Sequence, residues 1–380
     1  MNQLLILKIK STILLTICCV TIGYGQHINS KWSSYISLKS YLTPFWKADT
    51  ICDEIIQIIK YDQESSGPLL FKAREILSVK SADLSKTFIQ GKDWIYKNGR
   101  IELTPHSAIP FIRHEDLVFK TIRPDWSMEG KTKGEFVLFN EGTYFRSMQI
   151  SITYLPDLSQ KWLGPIPKFA RRLLEHTQTK LKNKQRLKIV FYGNSIETGA
   201  NSSGFQNQAP FMPSWPELII YNLRETYAGK IDFSNQSVGG KLAKWGVENV
   251  AKAVLPEKPD LVIIGFGMND GTFNVQPEIY RAQISGIMDV IRINNPNAEF
   301  ILVSPMLANP YAMQSKIQHL YKTELKKLTK KGVVLADLTG VHQQLLKHKT
   351  YQDMTGNNVN HPNDYLARWY AQIISGILIK

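Results

Sequence analysis

Cysteine is scarce in this chain of 380 residues: there are three, Cys18, Cys19 and Cys52. Two of them lie in an apolar leader, so once the leader is removed no internal disulfide can form and the fold must rely on packing. The apolar run from Thr12 to Ile22 is too short for a comfortable membrane span. No histidine or cysteine spacing matches a zinc site, and no glycine-rich phosphate loop follows the first strand of the parallel region. Neither a metal nor a cofactor is therefore expected. Internal repeats and low-complexity stretches are absent too, which argues against solenoids and flexible spacers.

The leader itself is informative. Lys8 and Lys10 precede the apolar run, and Gly23 and Gly25 supply small residues after it. This is the layout of a secretory signal over residues 1–25, cut after Gly25. Cys18 and Cys19 raise a lipoprotein reading, but Ile17 stands where lipid attachment wants a small residue. A periplasmic or secreted protein is the expectation. About 355 residues then remain, enough for two domains with proper cores.

The formal charge is +14, falling to +12 without Lys8 and Lys10. The basic residues are dispersed, except for a cluster at Arg171, Arg172, Lys180, Lys182, Lys184 and Arg186. A dispersed excess is ordinarily a solvated surface. Where it serves function, an exported chain meets acidic polysaccharide more readily than nucleic acid.

Residues 26–165 read as a β-rich module of sandwich or jelly-roll type. In 93–103 the Asn98-Gly99 pair separates two β-prone runs, a hairpin signal. The stretch 136–155 reads as a second strand pair. A basic connecting segment, 166–186, leads into a different texture. From 187 onward, apolar β-branched runs (Leu187–Tyr192, Lys230–Asn235, Asp260–Phe266, Glu299–Ser304 and Gly332–Asp337) alternate with helical patterns at 214–228, 242–254, 277–294, 311–331 and Asp364–Leu378. Such alternation predicts an α/β domain over 187–380, a parallel sheet covered on both faces. Sheets of this kind place ligands at the carboxyl ends of their strands.

Those ends carry Gly193-Asn194-Ser195, the pair Gly239-Gly240, Asn269-Asp270, and, in the loop before the last helix, His361. Each alone reads as a turn or a cap. Together they suit acyl transfer. A serine hydroxyl needs a base to take its proton, and His361 is the natural one. The oxyanion formed on attack needs donors held in place, for which the N–H groups of Ser195 and Gly240 and the Asn269 amide suffice.

These blocks, "GNSI", the glycine of "NQSVGG", "GMND" and "NHP", stand in the order found in the SGNH or GDSL-type hydrolases, which the chain resembles over about 170 residues. The resemblance implies a flavodoxin-like three-layer sandwich, Ser195 as nucleophile, Gly240 and Asn269 completing an oxyanion hole, and His361 as general base. The two-part layout also resembles that of certain carbohydrate O-acetyl esterases. Two departures stand out. The usual aspartate of the serine block is Asn194. The aspartate commonly found three residues before the histidine is Asn358, and a neutral amide orients the ring only if its oxygen faces it. A Ser195–His361 dyad with Asn358 or a backbone carbonyl orienting the ring, a substitute acid at Asp353, or a disabled site each fits. Asp364 reads as the cap of the last helix. On this reading, Asn358→Asp retains or raises activity.

Trp215 and Trp245 follow two of the site blocks, as core aromatics or as platforms for a sugar. Tyr144, Phe145 and Gln149 stand in the same relation to a cleft. The expected function is an exported serine esterase acting on small acyl groups, acetyl foremost, of a carbohydrate. An O-acyltransferase and a non-catalytic glycan-binding protein are the alternatives.

Overall fold

The computed structural model describes residues 30–380; the expected leader and its cleavage point lie outside them. The C-terminal part is built on five parallel strands, Leu187–Gly193, Ile231–Asn235, Leu261–Gly265, Glu299–Val303 and Val333–Ala336. Their spatial order is second, first, third, fourth, fifth. This is the doubly wound, flavodoxin-like order, with its switch point beside the first strand.

Strand alternation explains how both faces are covered. Ile189 and Phe191 join the apolar cluster of Trp215–Thr226 and Asp364–Leu378. Val190 and Tyr192 point the other way, into the cluster of Ala243–Ala253, Pro277–Asn294 and Gln318–Lys327. The inner strands are buried on both sides, so 189–192, 261–264 and 300–303 are apolar throughout, whereas the edge strand Ile231–Asn235 alternates with Asp232 and Ser234. No helix among the described residues is long and apolar enough to cross a membrane.

The N-terminal part holds three sheets. Ile51–Gln57, Gln149–Pro156 and Ala73–Ser81 form an antiparallel one, with Gln149–Pro156 central. In a five-stranded sheet, Trp94–Lys97 pairs with Arg100–Leu103 across Asn98 (φ +53°) and Gly99 (φ +80°). Two left-handed residues between paired strands are the expected hairpin turn. The second expected strand pair is not one. Phe136–Leu138 pairs with Val118–Phe119 and Ser127–Glu129, in a different sheet from Gln149–Pro156. A turn closed by the Gly142 N–H donating to Asn140 Oδ1 (2.8 Å), and then the helix Tyr144–Met148, separate the two strands. In 166–186 only Glu175–Lys182 is α-helical.

The two parts share a core. Ile51, Ile56, Val79, Ile152 and Tyr154 pack in one cluster with Tyr365, Trp369 and Ile373 of the last helix. A fully buried Lys349–Glu54 ion pair crosses the same contact. Glu54 also accepts from the Leu70 N–H and the Tyr154 hydroxyl, both at 2.8 Å. Those bonds satisfy the carboxylate that burial has stripped of water.

Candidate active site

Ser195 opens a four-residue helix directly after the first strand. Asn194 Oδ1 accepts the Ile196 N–H at 2.9 Å, and Glu197 returns to accept the Asn194 N–H at 2.9 Å. This reciprocal cap fixes the turn that presents the serine. An amide at 194 serves it fully. The Glu197 carboxyl lies over the two neighbouring strand ends, which must be glycine. A Cβ on Gly193 would sit 2.6 Å from it, and one on Gly265 2.2 Å.

Burial pushes the Glu197 carboxyl up to about 8. An acid whose pKa is raised by folding contributes its stability below the unfolded value and loses it as pH rises through the folded one. Glu197→Gln is therefore expected to melt like the parent near pH 4 and above it at pH 8–9. Thermal scans across pH check this; parallel curves would assign the carboxyl no titration in this range.

The second strand leads to Gly239 and Gly240. Gly239 lies against the serine, since a Cβ there would stand 3.8 Å from Ser195 Cβ. Gly240 is exposed with φ +75°. Asn269, in the short helix Met268–Thr272, donates one amide hydrogen to the Lys241 carbonyl at 3.1 Å. Buried Asp270 accepts from the N–H groups of Ala243 (2.8 Å) and Gly267 (3.0 Å). Burial raises this carboxyl to about 6. The loops after the second and third strands are thus tied to each other beside the end of the first.

His361 completes the group. Its Nε2 lies 2.8 Å from Ser195 Oγ. Its Nδ1 lies 2.7 Å from Asn201 Oδ1 and 3.2 Å from Glu141 Oε2. The Asn201 amide is oriented by its own Nδ2, which donates to the carbonyls of Glu141 (3.3 Å) and Gly356 (3.4 Å). Its oxygen therefore faces the ring. With two acceptors at Nδ1, that nitrogen carries the proton and Nε2 is left to accept from the serine hydroxyl. Burial alone would raise the Glu141 carboxyl, but the bonds from His361 and Asn357 outweigh it and hold it below the usual range. A hydroxyl, a base with a defined tautomer and a carboxylate thus line up at the carboxyl end of a parallel sheet.

Residues 191–368 match the GDSL-like Lipase/Acylhydrolase family. The chain carries a GDSL-type hydrolase domain. An arylesterase of Vibrio mimicus is 26% identical over 110 residues, 29% of this chain and 51% of that protein, so the chain spans about half the length of this curated relative. Among solved structures, a two-domain esterase active on acetylated mannans aligns over 57% of this chain and 54% of its own, with 20% identity and a TM-score of 0.46. Axe2, an acetylxylan esterase from Geobacillus stearothermophilus, aligns over 50% and 92%, with 17% identity and a TM-score of 0.41.

In this GDSL-type domain the ring is not oriented by either residue expected to do so. Asn358 is fully buried, but its Nδ2 donates to the Leu138 carbonyl (2.8 Å) and its Oδ1 accepts from Gln352 (2.9 Å) and Asn309 (3.1 Å). It pins the histidine loop to the N-terminal part. Asp353 accepts the N–H groups of Gln57 and Thr350, both at 2.7 Å, and faces Lys349 at 4.0 Å. Burial raises its carboxyl, against the pull of Lys349. Asp364 is not the cap either. Asn363 caps the last helix by accepting the Leu366 N–H (3.2 Å), while Asp364 pairs with Arg146 (2.8 Å).

The expectation for Asn358→Asp accordingly reverses. A carboxylate there would set an acceptor against the Leu138 carbonyl, and an unmet buried group costs about 1–3 kcal/mol or more. The variant is expected to melt several degrees lower and to lose activity; parent-like stability with raised activity would reinstate Asn358 as the orienter.

Trp215 is core. It is 1% exposed, donates from Nε1 to the Ile196 carbonyl (2.9 Å) and packs against Phe191 and Tyr370, so no sugar reaches it. Trp245 is half-buried against Tyr192, with Lys241 over its ring. Phe145 is fully buried, and Gln149 is spent on the histidine loop, donating to the carbonyls of Gln352 (2.8 Å) and Thr355 (2.9 Å). Tyr144 packs edge-on against Trp126.

Glu141 and Asn201 were not legible as site residues. Glu141 stands 220 residues before His361 in an ordinary Asn-Glu-Gly turn. Asn201, six residues after the serine, reads as one more loop polar residue. Arg146 binds both neighbourhoods, donating to Asp364 and to the Asn201 carbonyl (3.1 Å).

Proposed function

We propose that the protein is an exported serine esterase that removes small acyl groups, acetyl foremost, from a glycan. The observation that carries this reading is the continuous hydrogen-bonded line from Glu141 and Asn201 through His361 to Ser195. The family match over residues 191–368, which hold Ser195, Asn201 and His361 but not Glu141, supports acyl transfer as its chemistry.

Ser195 Oγ attacks the ester carbonyl as its proton passes to His361 Nε2. The carbonyl oxygen becomes an oxyanion held by the N–H groups of Ser195 and Gly240 and by the second hydrogen of the Asn269 amide. His361 then returns the proton to the departing sugar oxygen as the C–O bond breaks, leaving the acyl group on Ser195. Water, giving its proton to the same nitrogen, attacks the acyl carbon; the bond to Ser195 Oγ breaks, the acyl group leaves as its acid, and His361 returns the proton to Ser195. Asn201 holds the tautomer throughout, and Glu141 stabilises the imidazolium.

A hydroxylated substrate suits the surroundings, where Asn360, Gln206 and Glu141 are not fully buried and cluster around the buried Asn357 of the His361 loop. Loops following the strands expose Phe205, Phe273 and Tyr311, aromatic surfaces on which sugar rings pack.

The test joins two measurements. An organophosphonate should label Ser195, since only an activated serine reacts, whereas a glycan-binding protein would stay unlabelled. Acetate release is then measured across acetylated polysaccharides, beginning with acetylated mannan and acetylated xylan. A uniformly negative panel with good cleavage of long-chain esters would overturn the carbohydrate assignment.

A further inference from the structure

We propose that a pocket in the N-terminal part is a second binding site, for an anionic sugar unit of the acylated polymer. The proposal rests on the esterase reading and names the kind of chain it acts on. The cavity, about 400 Å³, is walled by Phe111, Arg113, Asp116, Arg123, Trp126 and Tyr144, with Ile112 and Leu138 beneath. That volume suits a small ligand.

Charge and shape point to the same ligand. Arg123 is set in place by Asp116 (3.2 Å) and by stacking 4.0 Å over the Phe119 ring. Arg113 has no hydrogen-bond or ion-pair partner for its side chain among the described residues. Lys60 stands over Phe111 at 5.5 Å, a third cation at the rim. Three cations against the single carboxylate of Asp116 leave an unmet positive field, and a guanidinium offers the planar fork that pairs with carboxylate or sulfate. Trp126 is 40% exposed and meets Tyr144 edge-on, ring centres 4.9 Å apart at 87°. An indole face is thereby open to a sugar ring beside the guanidinium groups.

The pocket also adjoins the reacting line. Leu138 and Tyr144 stand three residues before and after Glu141, and three residues span at most about 11 Å. The Leu138 carbonyl accepts from Asn358 in the histidine loop. A polymer seated here would run toward Ser195, so that binding one unit positions the ester on another.

Calorimetric titration of the Ser195→Ala protein separates this site from catalysis. Tetragalacturonate, a sulfated carrageenan tetrasaccharide and xylotetraose serve as probes. One of the two anionic probes is expected to bind at least about tenfold tighter than xylotetraose, and to lose about that factor in Arg113→Gln and in Trp126→Phe. Which anion binds tells carboxylate from sulfate. Equal affinity for all three, or binding unchanged in both variants, overturns the site. In the parent background, Arg113→Gln should leave kcat and KM for 4-nitrophenyl acetate unchanged while raising KM on an acetylated acidic polymer and sparing acetylated mannan. Loss on the neutral and acidic polymers alike would also overturn it. A parent protein that hydrolyses no ester would instead sink the esterase reading, with the titrations still judging the pocket.

Discussion

Ser195→Ala is expected to lower kcat for ester hydrolysis by about 10⁴–10⁶-fold and to leave the melting temperature nearly unchanged. The fold has little stake in the hydroxyl. Ser195 Oγ bonds His361 Nε2, and the turn around it is held instead by Asn194, Glu197 and the short helix. Chemistry loses its nucleophile outright, while stability loses one partly exposed hydrogen bond, about 1 kcal/mol. His361→Ala should reach a similar floor, and the double variant should fall no further, because residues acting as one unit do not add. Purified Ser195→Ala protein that keeps activity within tenfold of the parent would remove the mechanism.

The pair at Nδ1 gives the second large effect, and it should be non-additive. Glu141→Ala leaves Asn201 Oδ1 at 2.7 Å to hold the tautomer. What it removes is a carboxylate whose side chain is 53% exposed and therefore screened by water. A loss of at most about tenfold in kcat is expected, so two independent losses would multiply to no more than about 100-fold. Asn201→Ala leaves the carboxylate as sole acceptor, with a comparable loss. Removing both frees the ring to adopt the wrong tautomer, and the combined loss should approach the roughly 10⁴-fold that a misassigned tautomer costs in serine proteases. Kinetics of the four proteins close the cycle. Purely multiplicative losses would mean the two residues act independently and not on one nitrogen.

Acid provides a check on the same carboxylate. Because the Glu141 pKa is lowered in the fold, its contribution is present above the ordinary carboxylate range and is lost as pH falls through the folded value. The acid limb of the parent's kcat profile should therefore differ from that of Glu141→Ala, the variant lacking this titration.

Much of this was legible in the linear chain because it is local. Strands such as Leu261–Gly265 announce themselves by unbroken apolar character, and the last helix by its stripe from Leu366 to Ile377, since burial acts on short, periodic stretches. The serine turn, the glycines at its flank and the helix after Asn269 are likewise encoded by neighbours a few residues apart. Where competing local signals met, the reading slipped. The strand pair expected in 136–155 became strands of two sheets with a helix between, because a turn of four residues leads as readily into a helix as into a hairpin.

The orientation of the histidine ring belongs to a different order of information. Position 358 looked decisive because it stands where an acid is commonly found, yet its side chain turns away to Leu138. The ring is held instead by Asn201 and by Glu141 of the N-terminal part, with Arg146 donating to the Asn201 carbonyl. The sequence by itself determined the parallel sheet, its strand ends and the residues that crowd there, because propensity and periodicity are properties of contiguous chain. Only the tertiary structure decided which carboxylate meets the histidine. A contact between residues 220 apart leaves no periodic trace, and depends on how the N-terminal sheet packs on the last helix.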